Sequence, residues 1–282
     1  MGNKVICVIV DGLRHQTALD HCGFMEGLVA GGKARRWHMK AALPTMSVPC
    51  YETIHTGVDP VDHGITANAM VRLSTAENIF SVARAHGRVT AAVAESYFSI
   101  LYNGGPFVPD NDMETDDLDR QIQHGRFYTY VGANDFHLAI PSDHDLCAKT
   151  DILIKRYQPD YILLHTLTCD STGHVHGGDS WQYCRAATTV DVQLARHLPN
   201  WREAGYRVLV TADHGFTDWG SHGGTEDCVR DVAFYDVGHP APGIGTETVS
   251  QRRVAPTVLA LMGLPIPDAM RDAPLSEVPV AA

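Results

Sequence analysis

The run Val5-Ile6-Cys7-Val8-Ile9-Val10 is continuously apolar, largely β-branched, and stops at Asp11-Gly12. A strand with one wet face alternates polar and apolar residues. One without polar positions has to be covered on both faces, as in a parallel sheet. Residues 89–94, 161–164 and 208–211 repeat the form. Helical stretches lie between them. Ser142 stands as a cap before Leu146, Ile152 and Leu153, and residues 181–198 form a segment closed by Pro199. Strand alternating with helix predicts an α/β fold with a doubly wound, mostly parallel central sheet flanked by helices. At 282 residues and 44% hydrophobic content the chain can fill one large core, so residues 1–282 are read as a single catalytic domain. Residues 101–141, with Asn103-Gly104-Gly105-Pro106 and many acids, read as irregular and could form a small cap within it.

The formal net charge is −11, and the basic run Lys33-Ala34-Arg35-Arg36 is short, so a nucleic-acid polymer would be repelled. A small anionic substrate is compatible with that charge once bound cations reverse the local field. The chain reads as a strand almost from its start, without the regions of a signal peptide, and Ile6 breaks the myristoylation pattern. No apolar run reaches the ~18 residues of a membrane span. The seven cysteines, an odd number without C-x-x-C spacing, suit reduced thiols. These features lead to an expectation of a cytoplasmic protein that binds no membrane. They leave its oligomeric state open.

Ligands of open α/β sheets gather beyond the carboxyl ends of the strands, and those positions here are rich in Asp and His. Asp11 follows the first strand and Asp213-His214 the last. Asp170-Ser-Thr-Gly-His174 sets a carboxylate and an imidazole four residues apart on what reads as a Gly-containing loop. His222 lies in Trp219-Gly-Ser-His-Gly-Gly224. Taken singly, an Asp after a strand is a helix cap and a His in a glycine loop is unremarked surface. Their recurrence at one end of one sheet points to metal. Mixed Asp and His ligands favour Zn²⁺, with Mn²⁺ and Fe²⁺ as competitors.

The set resembles the alkaline phosphatase superfamily, most closely its nucleotide pyrophosphatase/phosphodiesterase branch. The residues that carry the resemblance are the first strand with Asp11-Gly12, Leu43-Pro-Thr-Met-Ser-Val-Pro49, Thr56-Gly57, His63-Gly-Ile65, Asp170-x-x-Gly-His174, Thr211-Ala-Asp-His-Gly215 and His222-Gly223, in that order. The resemblance implies an alkaline-phosphatase-like fold. It also implies two divalent metal ions, one on Asp11, Ser47, Asp213 and His214 and the other on Asp170, His174 and His222. Ser47 would be the nucleophile, forming a phosphoseryl intermediate in the hydrolysis of a phosphate diester or related phosphate or phosphonate ester. Thr45 is a decoy, because the family nucleophile precedes x-Pro, as Ser47 does here. Pro49 suits the first turn of a helix, which would leave Ser47 at a helix N-terminus, where anions are favoured.

Two departures bear on substrate. Where the branch generally has a phosphate-binding Asn, Cys50 stands, a weak donor. Asn68 matches another family Asn, expected to shape the site, and Arg72, Tyr128 and Lys149 are candidates to replace the missing donor. The sulfatase pattern Cys/Ser-x-Pro-x-Arg fails at Tyr51. Phosphonoacetate-type hydrolases and phosphomonoesterases stay open as alternatives, with sulfatase behind them. A mutase of the phosphoglycerate type would need a large inserted domain. A metal-binding relative without activity is disfavoured by the intact set of Asp and His ligands.

Overall fold

The computed structural model describes residues 3–129, 131–134 and 137–276, with the backbone alone over 131–134 and 137–139. Its strands, in chain order, are β1 (Lys4–Val10), β2 (Ala34–Lys40), β3 (Thr90–Glu95), β4 (Glu114–Asp116), β5 (His124–Tyr128) and β6 (Val131–Asn134). They continue as β7 (His137–Ala139), β8 (Tyr161–Thr166), β9 (Tyr206–Thr211), β10 (Asp231–Val237) and β11 (Gly243–Ser250). Nine of them form one sheet in the order β11-β2-β10-β9-β1-β8-β3-β5-β4. All run in one direction except β10 and β4, so the sheet is mostly parallel, as expected.

The apolar run lies where its composition requires. β1 is central, hydrogen-bonded in parallel register to β8 on one side and β9 on the other, and its residues 5–10 are almost fully buried. The helix Asp143–Tyr157 packs on β8 and β3, Trp181–Glu203 on β9, and Val254–Met262 on β1. The edge strand β11 is largely exposed, fitting its polar sequence. Ser142 caps its helix as expected, accepting from the Asp145 N–H at 3.1 Å.

Two expectations are corrected. Pro199 does not end its helix, which continues to Glu203 with the proline inside. The last turn is held by Trp201, buried and donating from Nε1 to Asp151 at 2.6 Å, which offsets the backbone hydrogen bond that proline removes. The segment 101–141 is not an irregular cap throughout: β4 and β5 extend the main sheet, and β6 and β7 form a separate two-stranded ribbon. Residues 130, 135 and 136 lie outside the described residues.

Candidate active site

The carboxyl ends of β1, β3, β8 and β9 and the start of the Ser47–Thr56 helix meet around a cavity of about 150 Å³. It is lined by Asp11, Ser47, Tyr51, Asn68, Glu95, Tyr97, Leu167, Asp170, His174 and His222. Two groups of side chains there could each hold a metal ion. The ligand atoms of Asp11, Asp213 and His214 lie within 4.8 Å of one another, as do those of Asp170, His174 and His222.

Nε2 of His214 is 3.5 Å from Oδ1 of Asp11 and 3.3 Å from Oδ2 of Asp213, with the Ser47 hydroxyl 3.2 Å away. In the second group, Nε2 of His174 is 3.5 Å from Oδ1 of Asp170 and 3.3 Å from Nε2 of His222. Asp170 and His174 sit on a helix, Thr168–His176, and not on the loop expected; their i, i+4 spacing puts both on one helix face.

Proton placement tests whether cations fit. Nδ1 of His214 faces the Gly215 carbonyl at 2.9 Å, Nδ1 of His222 the Thr45 carbonyl at 3.0 Å, and Nδ1 of His174 the Gly220 carbonyl at 3.3 Å. A carbonyl can only accept, so each Nδ1 carries the proton and each Nε2 turns a lone pair into the site. Opposite those lone pairs stand Oδ1 of Asp11, Oδ1 of Asp170 and Oδ2 of Asp213, all buried and without a hydrogen-bond partner among the described residues. Lone pairs converging without protons between them suit divalent cations.

The electrostatics agree. Burial pulls the His214 imidazole down to about 3, aided by the neighbouring His222, and burial lowers His222 as well, so both are neutral at neutral pH. Burial pushes the Asp11 carboxyl up, but the hydrogen bond from His165 and the nearby His214 outweigh it and hold the group at about 2. Burial and the Asp11 charge raise Asp170 and Asp213 well above the ordinary carboxylate range. Three carboxyl groups this close resist ionising together, and divalent cations would remove that obstacle.

The backbone fixes the spacing of the two groups. Gly12 has φ +71°, and its N–H donates to Oδ1 of Asp213 at 3.0 Å. A Cβ on Gly12 would lie 2.9 Å from both the Asp170 Cα and the Phe216 ring. The loop after β9 is tied down by Arg14, which donates to the Phe216 carbonyl and pairs with Asp218.

Ser47 opens the buried Ser47–Thr56 helix, with Pro49 in its first turn as expected. Thr45 is otherwise engaged: its hydroxyl donates to the Gly224 carbonyl at 2.9 Å and accepts from the Gly223 N–H at 3.0 Å. Cys50 is not in the cavity, which corrects its assignment to substrate. It lies one helical turn behind the Ser47 end, fully buried against Ala41 and Ala42, its thiol directed at the carbonyls of Ala42 and Pro44. Asn68 does reach the site. Its Oδ1 accepts from the Val48 N–H at 3.0 Å, and its Nδ2 has no protein partner among the described residues.

Of the other candidate donors, Arg72 binds the His63 and Leu73 carbonyls, and neither it nor Lys149 lines the cavity. Tyr128 lies behind the site, 2.8 Å from Nδ1 of His165. Tyr51, at the failed sulfatase position, donates its hydroxyl to Oδ2 of Asp11. Sequence reasoning missed His165, Tyr97 and Glu95; Glu95 ends β3, the same kind of position that singled out Asp11 and Asp213.

A mostly parallel sheet with two Asp/His clusters at its carboxyl edge defines an alkaline-phosphatase-like protein. Solved structures of similar fold include murine ectonucleotide pyrophosphatase/phosphodiesterase 5, with TM-score 0.69 and 14% identity over 93% of this chain and 96% of that one. The phosphonate monoester hydrolase of Silicibacter pomeroyi has TM-score 0.60 and 16% identity, over 96% of this chain and 75% of that one. The chain matches the type I phosphodiesterase / nucleotide pyrophosphatase family over residues 5–254, and it belongs to that family. The human GPI ethanolamine phosphate transferase 2 catalytic subunit is 23% identical over 295 residues, 94% of this chain and 27% of the relative. The 2,3-bisphosphoglycerate-independent phosphoglycerate mutase of Ruegeria pomeroyi is 36% identical over 118 residues, 39% of this chain and 22% of the relative. The chain thus matches about a quarter of the length of these curated relatives.

Proposed function

We propose that this chain hydrolyses phosphate diesters, or related phosphate and phosphonate esters, by way of a phosphoseryl intermediate on Ser47. The observation that carries the proposal is the Ser47 hydroxyl at the cavity wall, 3.2 Å from the Nε2 that the Asp11 group shares. Two divalent cations held by the two groups, Zn²⁺ first among the candidates, would acidify that hydroxyl and take up charge on the leaving oxygen. The Ser47 oxygen forms a bond to phosphorus while the bond to the leaving oxygen breaks, and that oxygen departs with the electron pair. Water then attacks phosphorus and displaces the Ser47 oxygen, which regains a proton. Asn68, anchored through Oδ1, has its amide donors available to a non-bridging oxygen, the role first assigned to position 50.

The test is a comparison of rates by the zinc-loaded protein on p-nitrophenyl phosphate, bis-p-nitrophenyl phosphate, p-nitrophenyl phenylphosphonate and p-nitrophenyl sulfate. The expected order puts the diester or the phosphonate first and the sulfate last. Sulfate hydrolysis outpacing every phosphorus ester would overturn it. No helix among the described residues is long and apolar enough to cross a membrane.

A further inference from the structure

Glu95 is the one carboxylate in the cavity wall that belongs to neither ligand group. It is 4% exposed and ends β3. One oxygen accepts from the Ser96 hydroxyl at 2.6 Å and the other from the Tyr97 N–H at 2.6 Å, so it caps the Ser96–Asn103 helix. Capping alone does not call for glutamate. Short side chains, Ser, Thr, Asp or Asn, are the preferred caps. Both hydrogen bonds donate toward the carboxylate, which favours its ionised, acceptor-only form, and each oxygen keeps a further lone pair.

A carboxylate in the wall of that cavity repels a phosphoryl anion. Its presence is favourable where another part of the substrate brings positive charge. Tyr97 lines the same cavity, and aromatic rings attract ammonium groups. The partly open space of about 150 Å³ is well under the roughly 300 Å³ at the lower end of sites for drug-sized ligands, so it suits a phosphoryl group with a short arm.

Taking the hydrolase reading as given, we infer that Glu95 is a specificity-determining residue that binds an ammonium group, and that the substrates are phosphate or phosphonate esters with a short amine-bearing arm. The ammonium donates to the outward lone pairs of the carboxylate while phosphorus faces Ser47. Burial pushes the Glu95 carboxyl up to about 7 despite the Ser96 and Tyr97 hydrogen bonds, and a bound ammonium keeps it ionised.

The test compares two chromogenic diesters on the zinc-loaded full chain, p-nitrophenyl 2-aminoethyl phosphate and p-nitrophenyl propyl phosphate, which differ in an ammonium for a methyl. A charge-assisted hydrogen bond in a buried site predicts a kcat/KM ratio favouring the amine by on the order of tenfold or more. In Glu95→Gln the ratio is expected to fall to near one, whatever happens to the absolute rates. A wild-type ratio near one, or a ratio kept by Glu95→Gln, overturns the inference and leaves the hydrolase reading intact. A wild type inert on both esters overturns the two together. Should Glu95→Gln not fold, inhibition of the wild type by 2-aminoethylphosphonate against propylphosphonate decides. Tighter binding of the amine supports the inference, and equal binding defeats it.

Discussion

Nε2 of His165 lies 3.0 Å from Oδ2 of Asp11, inside the otherwise largely apolar strand β8. The ionised Asp11 carboxylate can only accept, so Nε2 carries the proton and donates to it, while the Tyr128 hydroxyl stands 2.8 Å from Nδ1 and 3.3 Å from the His165 carbonyl. With Tyr51 on the same oxygen, Asp11 is left with only Oδ1 to offer the site. His165 is thus a positioning residue. Losing such a partner typically weakens a metal site about 10–100-fold. His165→Leu is expected to lower metal affinity at the Asp11 group by that order while sparing the Asp170 group, as measured by chelator competition. His165→Gln, which returns an N–H, should recover part of the loss. Two unchanged affinities in a folded His165→Leu protein would refute the role.

Ser47→Ala should remove nearly all ester turnover, several orders of magnitude, while the protein stays folded and binds metal at the Asp170 group. Thr45→Ala should instead loosen the loop that carries His222, since that hydroxyl bridges Gly223 and Gly224. Its expected signature is a lower melting temperature with turnover only reduced. The reverse pattern, an active Ser47→Ala and a dead but folded Thr45→Ala, would move the nucleophile to Thr45.

Metal binding should strengthen with pH. Burial and the Asp11 charge oppose ionisation of Asp170 and Asp213, while a cation needs them ionised, so a higher pH favours binding. The sign for the metal-free protein follows. A carboxyl whose native pKa is raised contributes stability at low pH, and that contribution is lost as pH rises from about 4, its unfolded value, through the native one. His214 and His222, lowered by burial, are already neutral there and contribute little to the slope. Metal-stripped protein should therefore melt at lower temperature at about pH 8 than at about pH 6, and the gain on adding zinc should be larger at the higher pH. A zinc-induced gain that shrinks with pH would contradict it.

Cys50→Asn places an amide among Ala41, Ala42 and the helix, where only the Ala42 and Pro44 carbonyls are at hand. Burying a poorly partnered amide costs about 1–3 kcal/mol. The variant is expected to lose that much stability in denaturant unfolding without changing the ratio of diester to monoester rates. A changed ratio would return Cys50 to the substrate.

What could be read ahead of the structure depended on how local the signal was. β1 announces itself because burial on both faces removes every polar residue from it. β2 is less plain: four of its seven residues are buried, and among them is Arg36, which pairs with Glu26. Among the candidate ligands, Asp11, Asp213 and His214 were legible because they follow strands, and Asp170 with His174 because their spacing is short. Tyr51 and His165 were not, since their value lies in reaching Asp11 across 40 and 154 residues of chain. Cys50 misled because a motif position gives a place along a helix but not the direction its side chain takes.

Gly12 gives the site a property that side chains alone would not. Its N–H grips Asp213 while its bare Cα lets the Asp170 helix come close, so the gap between the two ligand groups is set by main chain in contact with main chain. Side chains can swing to suit a guest, but packed backbone cannot. Under the proposed function the two groups would act as a fixed gauge, accepting a bridging molecule for how well its own oxygens span that gap. Diversity among such molecules would then come from the arms that project beyond it.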